Sequence, residues 1–211
     1  MVTSWRGAAP RFPLLGEPPA VDLVNTVWRS GQGQVDGLAT ERGLAAWLRA
    51  QGERLDPGEG SDAGARLPAL REVHALRAAL RALFEATLGA EPPPPDAVAA
   101  LNRFSAGGAS HPQLEWTPGH APRVRRRVRA ADPAAALLAA IAWNGIALLG
   151  GEERLRLRRC EGPGCVLFFV ATNPRRRWCS PALCGNRVRV ARHYRLHHAD
   201  HHGTDPSLRS G

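Results

Sequence analysis

The sequence predicts a mainly α chain of the α+β kind: a helical N-terminal domain with a small β-hairpin, then a treble-clef or zinc-ribbon-like finger. Three observations carry this. Apolar residues recur at helical spacing through most of the first 150 of 211 residues. The stretch between Gln113 and Arg129 departs from that spacing and reads as a hairpin. All four Cys lie in two close pairs after residue 159. The expected boundaries are residues 1–150 for the helical domain, 151–198 for the finger and 199–211 for a disordered tail.

Residues 1–18 read as a Pro-rich lead-in whose Phe12, Leu14 and Leu15 can dock on a core. Pro19 opens a first helix, with Val21, Val24, Val27 and Trp28 at helical spacing and Asp22 in the first turn, where the dipole favours an acid. Gly31–Gly37 reads as a loop. Thr40 can cap a short helix carrying Leu44, Trp47 and Leu48, and residues 52–66, rich in Gly, Asp and Glu, as a mobile loop. The clearest helix spans about Pro68 to Leu88. Leu70, Val73, Leu76, Leu80, Leu83 and Phe84 form its apolar stripe, and Arg71, Arg77 and Arg81 are expected to face water. Pro92–Pro95 interrupts it, and Asp96 starts a helix through Val98, Leu101 and Phe104. Leu114 and Trp116, a turn at Gly119, then Val124 and Val128 form the hairpin, whose Arg125–Arg127 run reads as an exposed strand. Asp132–Pro133 opens a helix apolar nearly all round, expected at the buried centre and ended by Gly150–Gly151.

The formal net charge is +9 and every basic residue is Arg. Arg with abundant Ala, Gly and Pro also suits a GC-rich genome, so the total assigns no partner. Its placement is more informative. Residues 1–150 hold 16 Arg against 14 acids, whereas residues 151–211 hold 12 against 5, with five of the eight His. No apolar run is read as long enough to span a membrane, since Trp143–Asn144 and Gly150–Glu153 interrupt the longest, and the N-terminus lacks a signal-peptide core. The expectation is a soluble, cytoplasmic protein without a membrane partner.

The spacing Cys160-x4-Cys165-x13-Cys179-x4-Cys184 suits four thiolates around one tetrahedral zinc ion. The turn Glu161–Gly164 supplies the Gly and Pro that bring the first two sulfurs to one metal. Ser180 and Pro181 start a helix through Leu196, whose N-terminal dipole supports a thiolate at Cys184, and Val166–Val170 forms an apolar strand against it. Disulfides would need an oxidising compartment that nothing marks, and a redox switch would use the same thiols. A catalytic zinc would keep an open position. His193, His197, His198, His201 and His202 could add ligands, but read as a solvated tail. The reading is one structural Zn²⁺, with no catalytic residues. Replacing Cys179 or Cys184 by Ser is then expected to unfold the finger alone.

Around that helix, Val188, Val190, Ala191 and Tyr194 are expected to face the strand and metal. Arg189, Arg192, His193 and Leu196 face away, and Arg195 sits at the border. Together with Arg175, Arg176 and Arg177 before Cys179, these cations suit phosphate contacts. Arg187 falls in the apolar arc and is expected to bond internally. Asp22, Asn25 and Thr26 on the first helix, and Asn144 on the buried one, are polar groups that a ligand pocket could partner.

Arg177-Trp178-Cys179-Ser180 followed by Cys184-Gly185-Asn186-Arg187 resembles the signature of the CGNR zinc-finger family. Leu23-Val24-Asn25-Thr26-Val27-Trp28 resembles the opening element of the ABATE domain that accompanies it. The resemblance implies four Cys ligands, a DNA-binding finger and a helical sensor domain, as in bacterial stress-induced transcription regulators. Where such proteins often carry Asp after the aromatic strand, this chain has Val170-Ala171-Thr172-Asn173. The main reading is therefore a DNA-binding transcription regulator with a small-molecule effector and a possible homodimer. The alternatives are a zinc-stapled protein–protein adaptor and an accessory module of an enzyme. No P-loop, nucleophile elbow, dinucleotide fingerprint or HExxH supports an enzyme.

Overall fold

A computed structural model of the chain describes residues 12–30, 33–55, 67–108, 110–115, 123–128 and 132–190. Helix α1 (Pro19–Val24) is buried along its whole length. It ends earlier than its apolar spacing implies, because Asn25 and Thr26 turn their side chains to other work. Thr26 Oγ1 donates to the Leu23 carbonyl at 2.6 Å, and the chain extends into β1 (Val27–Ser30). Val27 and Trp28 are thus strand residues, paired with Asp36 and Val35 of β2 (Gly33–Asp36). So short a run satisfies both periods, and local side-chain bonding ends the helix. Residues 33–36, read as loop, form half of this hairpin.

Thr40 caps α2 (Glu41–Gln51) by accepting from Gly43 N at 3.2 Å, and Leu44 and Trp47 are buried. A Cβ at Gly43 would lie 2.2 Å from the Gly37 carbonyl oxygen, so only glycine allows this approach. Helix α3 (Leu70–Gly89) buries Val73, Leu76, Leu80, Leu83 and Phe84 as their stripe predicts. After the prolines come α4 (Pro95–Ala106) and the hairpin β3 (Ser110–Glu115) and β4 (Arg123–Val128), with Leu114 opposite Val124. Trp116, Gly119 and residues 56–66 lie outside the described residues.

Asp132 caps α5 (Pro133–Gly150) by accepting from Ala134 N at 3.0 Å. Asn144 reaches back from α5 to accept the Ala20 N–H at 3.0 Å, satisfying a first-turn donor of α1. A Cβ at Gly145 would meet Leu80 at 2.5 Å, so α3 and α5 touch there. Two expectations need correction. Helix α5 buries one side, Leu138, Ile141, Ala142 and Leu148 among it, but leaves Trp143 51% exposed, so it flanks the core instead of filling its centre. Its 18 residues are also long and apolar enough to cross a membrane by length and composition, despite Trp143–Asn144.

Arg77 reverses a further expectation. Instead of facing water it is buried, donating to Asp36 at 2.7 and 2.5 Å and to Thr26 Oγ1 at 2.9 Å. Burial alone would raise the Asp36 pKa, but hydrogen bonds from Arg77 and Leu38 N–H, with the Arg77 charge, hold it below the usual carboxylate value. Arg81 is half-buried, donating to the Val24 carbonyl at 3.2 Å and lying 5.3 Å from the centroid of the Phe168 ring.

The chain leaves α5 through a 3₁₀ turn (Glu152–Arg156) into β5 (Leu157–Arg159), which pairs antiparallel with β6 (Phe168–Val170). The sequence reads residues 166–170 as a strand serving the finger, but β6 serves two cores at once. Side chains alternate across a strand. Phe168 and Val170, with Leu157, join the helical core, and Phe168 meets Phe84 edge-on at 5.8 Å. Leu167, Phe169 and Ala171 join Cys160, Cys179 and Cys184 in a second cluster. Polar bonds lock this seam. Asn25 donates to the Phe168 carbonyl and accepts the Phe168 N–H, both at 2.9 Å. Buried Glu17 accepts from Val170 N at 2.9 Å and from Arg176 Nη2 at 2.6 Å.

Asp22 shows what burial costs at the far end of α1. Its Oδ2 pairs with Arg54 Nη1 at 3.0 Å and lies 3.5 Å from Gln51 Nε2, while Oδ1 has no hydrogen-bond partner among the described residues. Desolvation outweighs these partners and raises its pKa from 3.8 to about 6. The fold therefore favours the neutral acid: that stability is present below pH 4 and is lost as pH rises through about 6. Asp22→Asn is expected to gain on the wild type across this window, by about 3 kcal/mol at most. Urea titrations of both proteins at several pH values check this; a stability difference that stays constant with pH would contradict it.

Candidate metal centre and its cationic surroundings

Three turns bring the four sulfurs together. Gly164 adopts φ +68° in the first turn, and Cys165 N donates to the Gly162 carbonyl at 2.9 Å. A Cβ on Gly162 would lie 2.9 Å from Cys184 Cβ and 3.0 Å from its sulfur, so glycine there is a packing requirement. Ser180 caps the last turn by accepting from Leu183 N at 3.4 Å. The turn Pro181–Gly185 is π-helical, since Gly185 N reaches back to the Ser180 carbonyl at 3.0 Å, and residues 186–190 continue as α-helix.

Cys160, Cys179 and Cys184 are buried and Cys165 half-buried, and all four sulfurs lie within 4.8 Å of one another. Tetrahedral zinc with ~2.3 Å bonds sets sulfurs about 3.8 Å apart. The distances Cys165–Cys179 of 4.0 Å and Cys179–Cys184 of 3.6 Å fit that tetrahedron, and disulfide bonds would need ~2 Å. Two backbone donors point at Cys160 Sγ, from Cys179 N at 3.2 Å and Gly162 N at 3.4 Å. Such bonds spread the negative charge of a ligating thiolate and fix the direction of its sulfur. The cluster concentrates negative charge accordingly. Hydrogen bonds from the Cys165 and Cys179 side chains lower the Cys160 thiol to about 2, and donating that bond raises Cys165 to about 12. Cys179 is raised for the same reason, first through its bond to Cys160. The four residues hold one structural zinc ion, whose charge lets all of them ligate as thiolates.

The arginines sort differently from their sequence reading. Arg176 turns inward: its side chain donates to Glu17, to the Cys179 and Val170 carbonyls and, through Nε, to the Trp178 carbonyl, and its guanidinium lies 4.4 Å from the centroid of the Phe169 ring. Arg177 is exposed but paired with Glu161 and set 5.3 Å from the Trp178 ring. Arg175 and Arg189 are exposed, and neither side chain has a hydrogen bond or acidic partner among the described residues. Arg192 and Arg195, like the five C-terminal His, lie outside the described residues. Arg187, expected inside, is exposed and equally unpaired. Val190, expected to face the strand, is 45% exposed. The π-turn explains both, since its extra residue per turn rotates the following helix away from the phase of an ideal α-helix.

The four polar residues proposed for a ligand are engaged within the core: Asp22 with Arg54, Asn25 with Phe168, Thr26 with Leu23 and Arg77, and Asn144 with Ala20. The sequence reading missed Glu17, whose partners lie far along the chain. In the segment after β6, Asn173 Oδ1 accepts from Arg175 N at 2.8 Å.

A helical domain sharing a strand with a four-cysteine centre defines the class, a zinc-finger protein with a helical partner domain. Residues 17–152 match ABATE, described as "Putative stress-induced transcription regulator", and residues 156–197 match the CGNR zinc finger. The chain belongs to the ABATE family and carries a CGNR zinc finger after it. No curated protein matches the sequence.

Proposed function

We propose that the chain is a cytoplasmic, DNA-binding transcription regulator of the bacterial stress-response type, whose finger contacts duplex DNA and whose helical domain answers a small ligand. The observation that carries the DNA reading is the sorting of the arginines. The finger spends Arg176 and Arg177 on Glu17 and Glu161, yet leaves Arg175, Arg187 and Arg189 exposed without an acidic partner among the described residues. A metal-locked scaffold that holds unpaired guanidinium groups in water suits phosphate contacts, which release counterions from DNA.

The test is fluorescence-anisotropy titration of a labelled random duplex with zinc-loaded protein over a salt series. Each phosphate contact contributes about 0.9 to the slope of log K against log salt. Arg175→Gln with Arg189→Gln is expected to reduce that slope by roughly 2. Arg177→Gln, which removes an ion pair with Glu161, should change it less. Absent binding, or binding indifferent to salt, would refute the DNA reading.

A further inference from the structure

A cavity of about 260 Å³ opens between the two family modules. The lead-in (Phe12, Pro13) and β1 (Trp28, Arg29) form one side, and the finger (Leu167, Leu183, Arg187 and three of the cysteines) forms the other. Arg29 and Arg187, more than 150 residues apart in sequence, are both exposed and line this cleft without an acidic partner among the described residues. Two unpaired guanidinium groups at one apolar cleft are what a carboxylate needs, because each presents a planar fork of donors. The volume suits a body of one or two rings, and the walls are mostly apolar, as small-molecule sites are.

We infer that this cleft is the binding site for a small aromatic carboxylate, its head held by Arg29 and Arg187 and its ring against Phe12, Trp28 and Leu167. The charge of the metal centre sets the orientation. Four thiolates around Zn²⁺ carry a formal excess of negative charge, so the sulfur end repels the carboxylate and favours the aromatic edge. The head therefore sits at the arginines and the ring points toward Cys165 and Cys179. Such a ligand touches β1 of the helical domain and the turn that carries Cys184, so it would hold the two together. The inference rests on the effector-sensing part of the proposed function; it claims Arg187 for the ligand and leaves Arg175 and Arg189 to the DNA reading.

Isothermal titration calorimetry of the full-length, zinc-loaded protein with 2-naphthoate, in the absence of DNA, tests it, with 2-naphthamide as the uncharged control. The expected result is binding of the acid at least tenfold tighter than the amide. Arg29→Gln or Arg187→Gln should each weaken the acid about tenfold, and the double variant should bind acid and amide alike. Both residues are exposed, so the variants should fold, which a colorimetric zinc count and thermal melts verify. No binding, equal binding of acid and amide by the wild type, or unchanged affinity in both single variants would overturn the site. Faster zinc loss in these variants, with naphthoate affinity intact, would also overturn it and assign the arginines to balancing the thiolate charge. The DNA titration can fail while naphthoate binds, and the reverse, so the two readings are judged separately.

Discussion

Cys184→Ser is expected to destabilise the whole described fold, not only the finger. Serine oxygen is a poor substitute for thiolate at a borderline-soft ion, and metal binding to a structural site contributes about 10–16 kcal/mol to the folding of small zinc modules. That is as large as the entire stability of an ordinary domain, ~5–15 kcal/mol. An independent finger would melt by itself and leave the helices untouched. Here β6 prevents such independence, since Phe168 and Val170 are core residues of the helical domain while Phe169 lies among the cysteines. Losing the metal releases one face of β6 and should loosen the other. Far-UV circular dichroism of the reduced protein, with and without a chelator, should show the helical transition falling by roughly 10 °C or more. An unchanged helical transition, with zinc gone, would show that the two cores are uncoupled. The same comparison for Cys165→Ser should be at least as informative, because that sulfur is the one ligand not fully buried.

The metal ligands were legible in the sequence because chemistry restricts them. Few residue types bind zinc, and the glycines that close the turns sit between them. Helices α3 and α5 were legible at their ends, where caps and prolines act over a few residues. What the sequence concealed depends on partners far apart. Whether Arg77 faces water is decided by Asp36, 41 residues away, and whether Arg176 can reach DNA is decided by Glu17, 159 residues away. The direction of Arg187 failed for a local reason: a helical wheel assumes uniform pitch, and Pro181–Gly185 is wound more widely than an α-helix. The two-sided role of β6 was partly written in its alternation, but a run as apolar as Leu167-Phe168-Phe169-Val170 gives no hint that each face has a different owner. The charge excess of the last 61 residues is likewise smaller in effect than its count, since Arg159 and Arg176 find Glu85 and Glu17 outside it.

Asn25→Ala should have the second large effect, and it measures the seam directly. Asn25 is fully buried, and its amide does for Phe168 what a neighbouring strand would do: it donates to the carbonyl and accepts the N–H, both at 2.9 Å. β5 and the residue after it serve the other edge of this segment, Cys160 N donating to the Leu167 carbonyl at 2.9 Å. Alanine would leave both backbone groups of Phe168 buried without a partner, at about 1–3 kcal/mol each. A loss of roughly 2–5 kcal/mol in urea unfolding is expected, with faster hydrogen exchange at the Phe168 amide and faster zinc release to a chelator. Asn25→Asp sharpens the assignment. An ionised carboxylate can still accept from Phe168 N but sets negative charge against the Phe168 carbonyl, so it should be at least as damaging at neutral pH. On acidification the protonated acid regains a donor, and part of the loss should return relative to Asn25→Ala. A cost below about 1 kcal/mol, or damage that does not reach Phe168 exchange, would mean that the Glu17 bonds and hydrophobic contact join the helical domain to the zinc centre without help from Asn25.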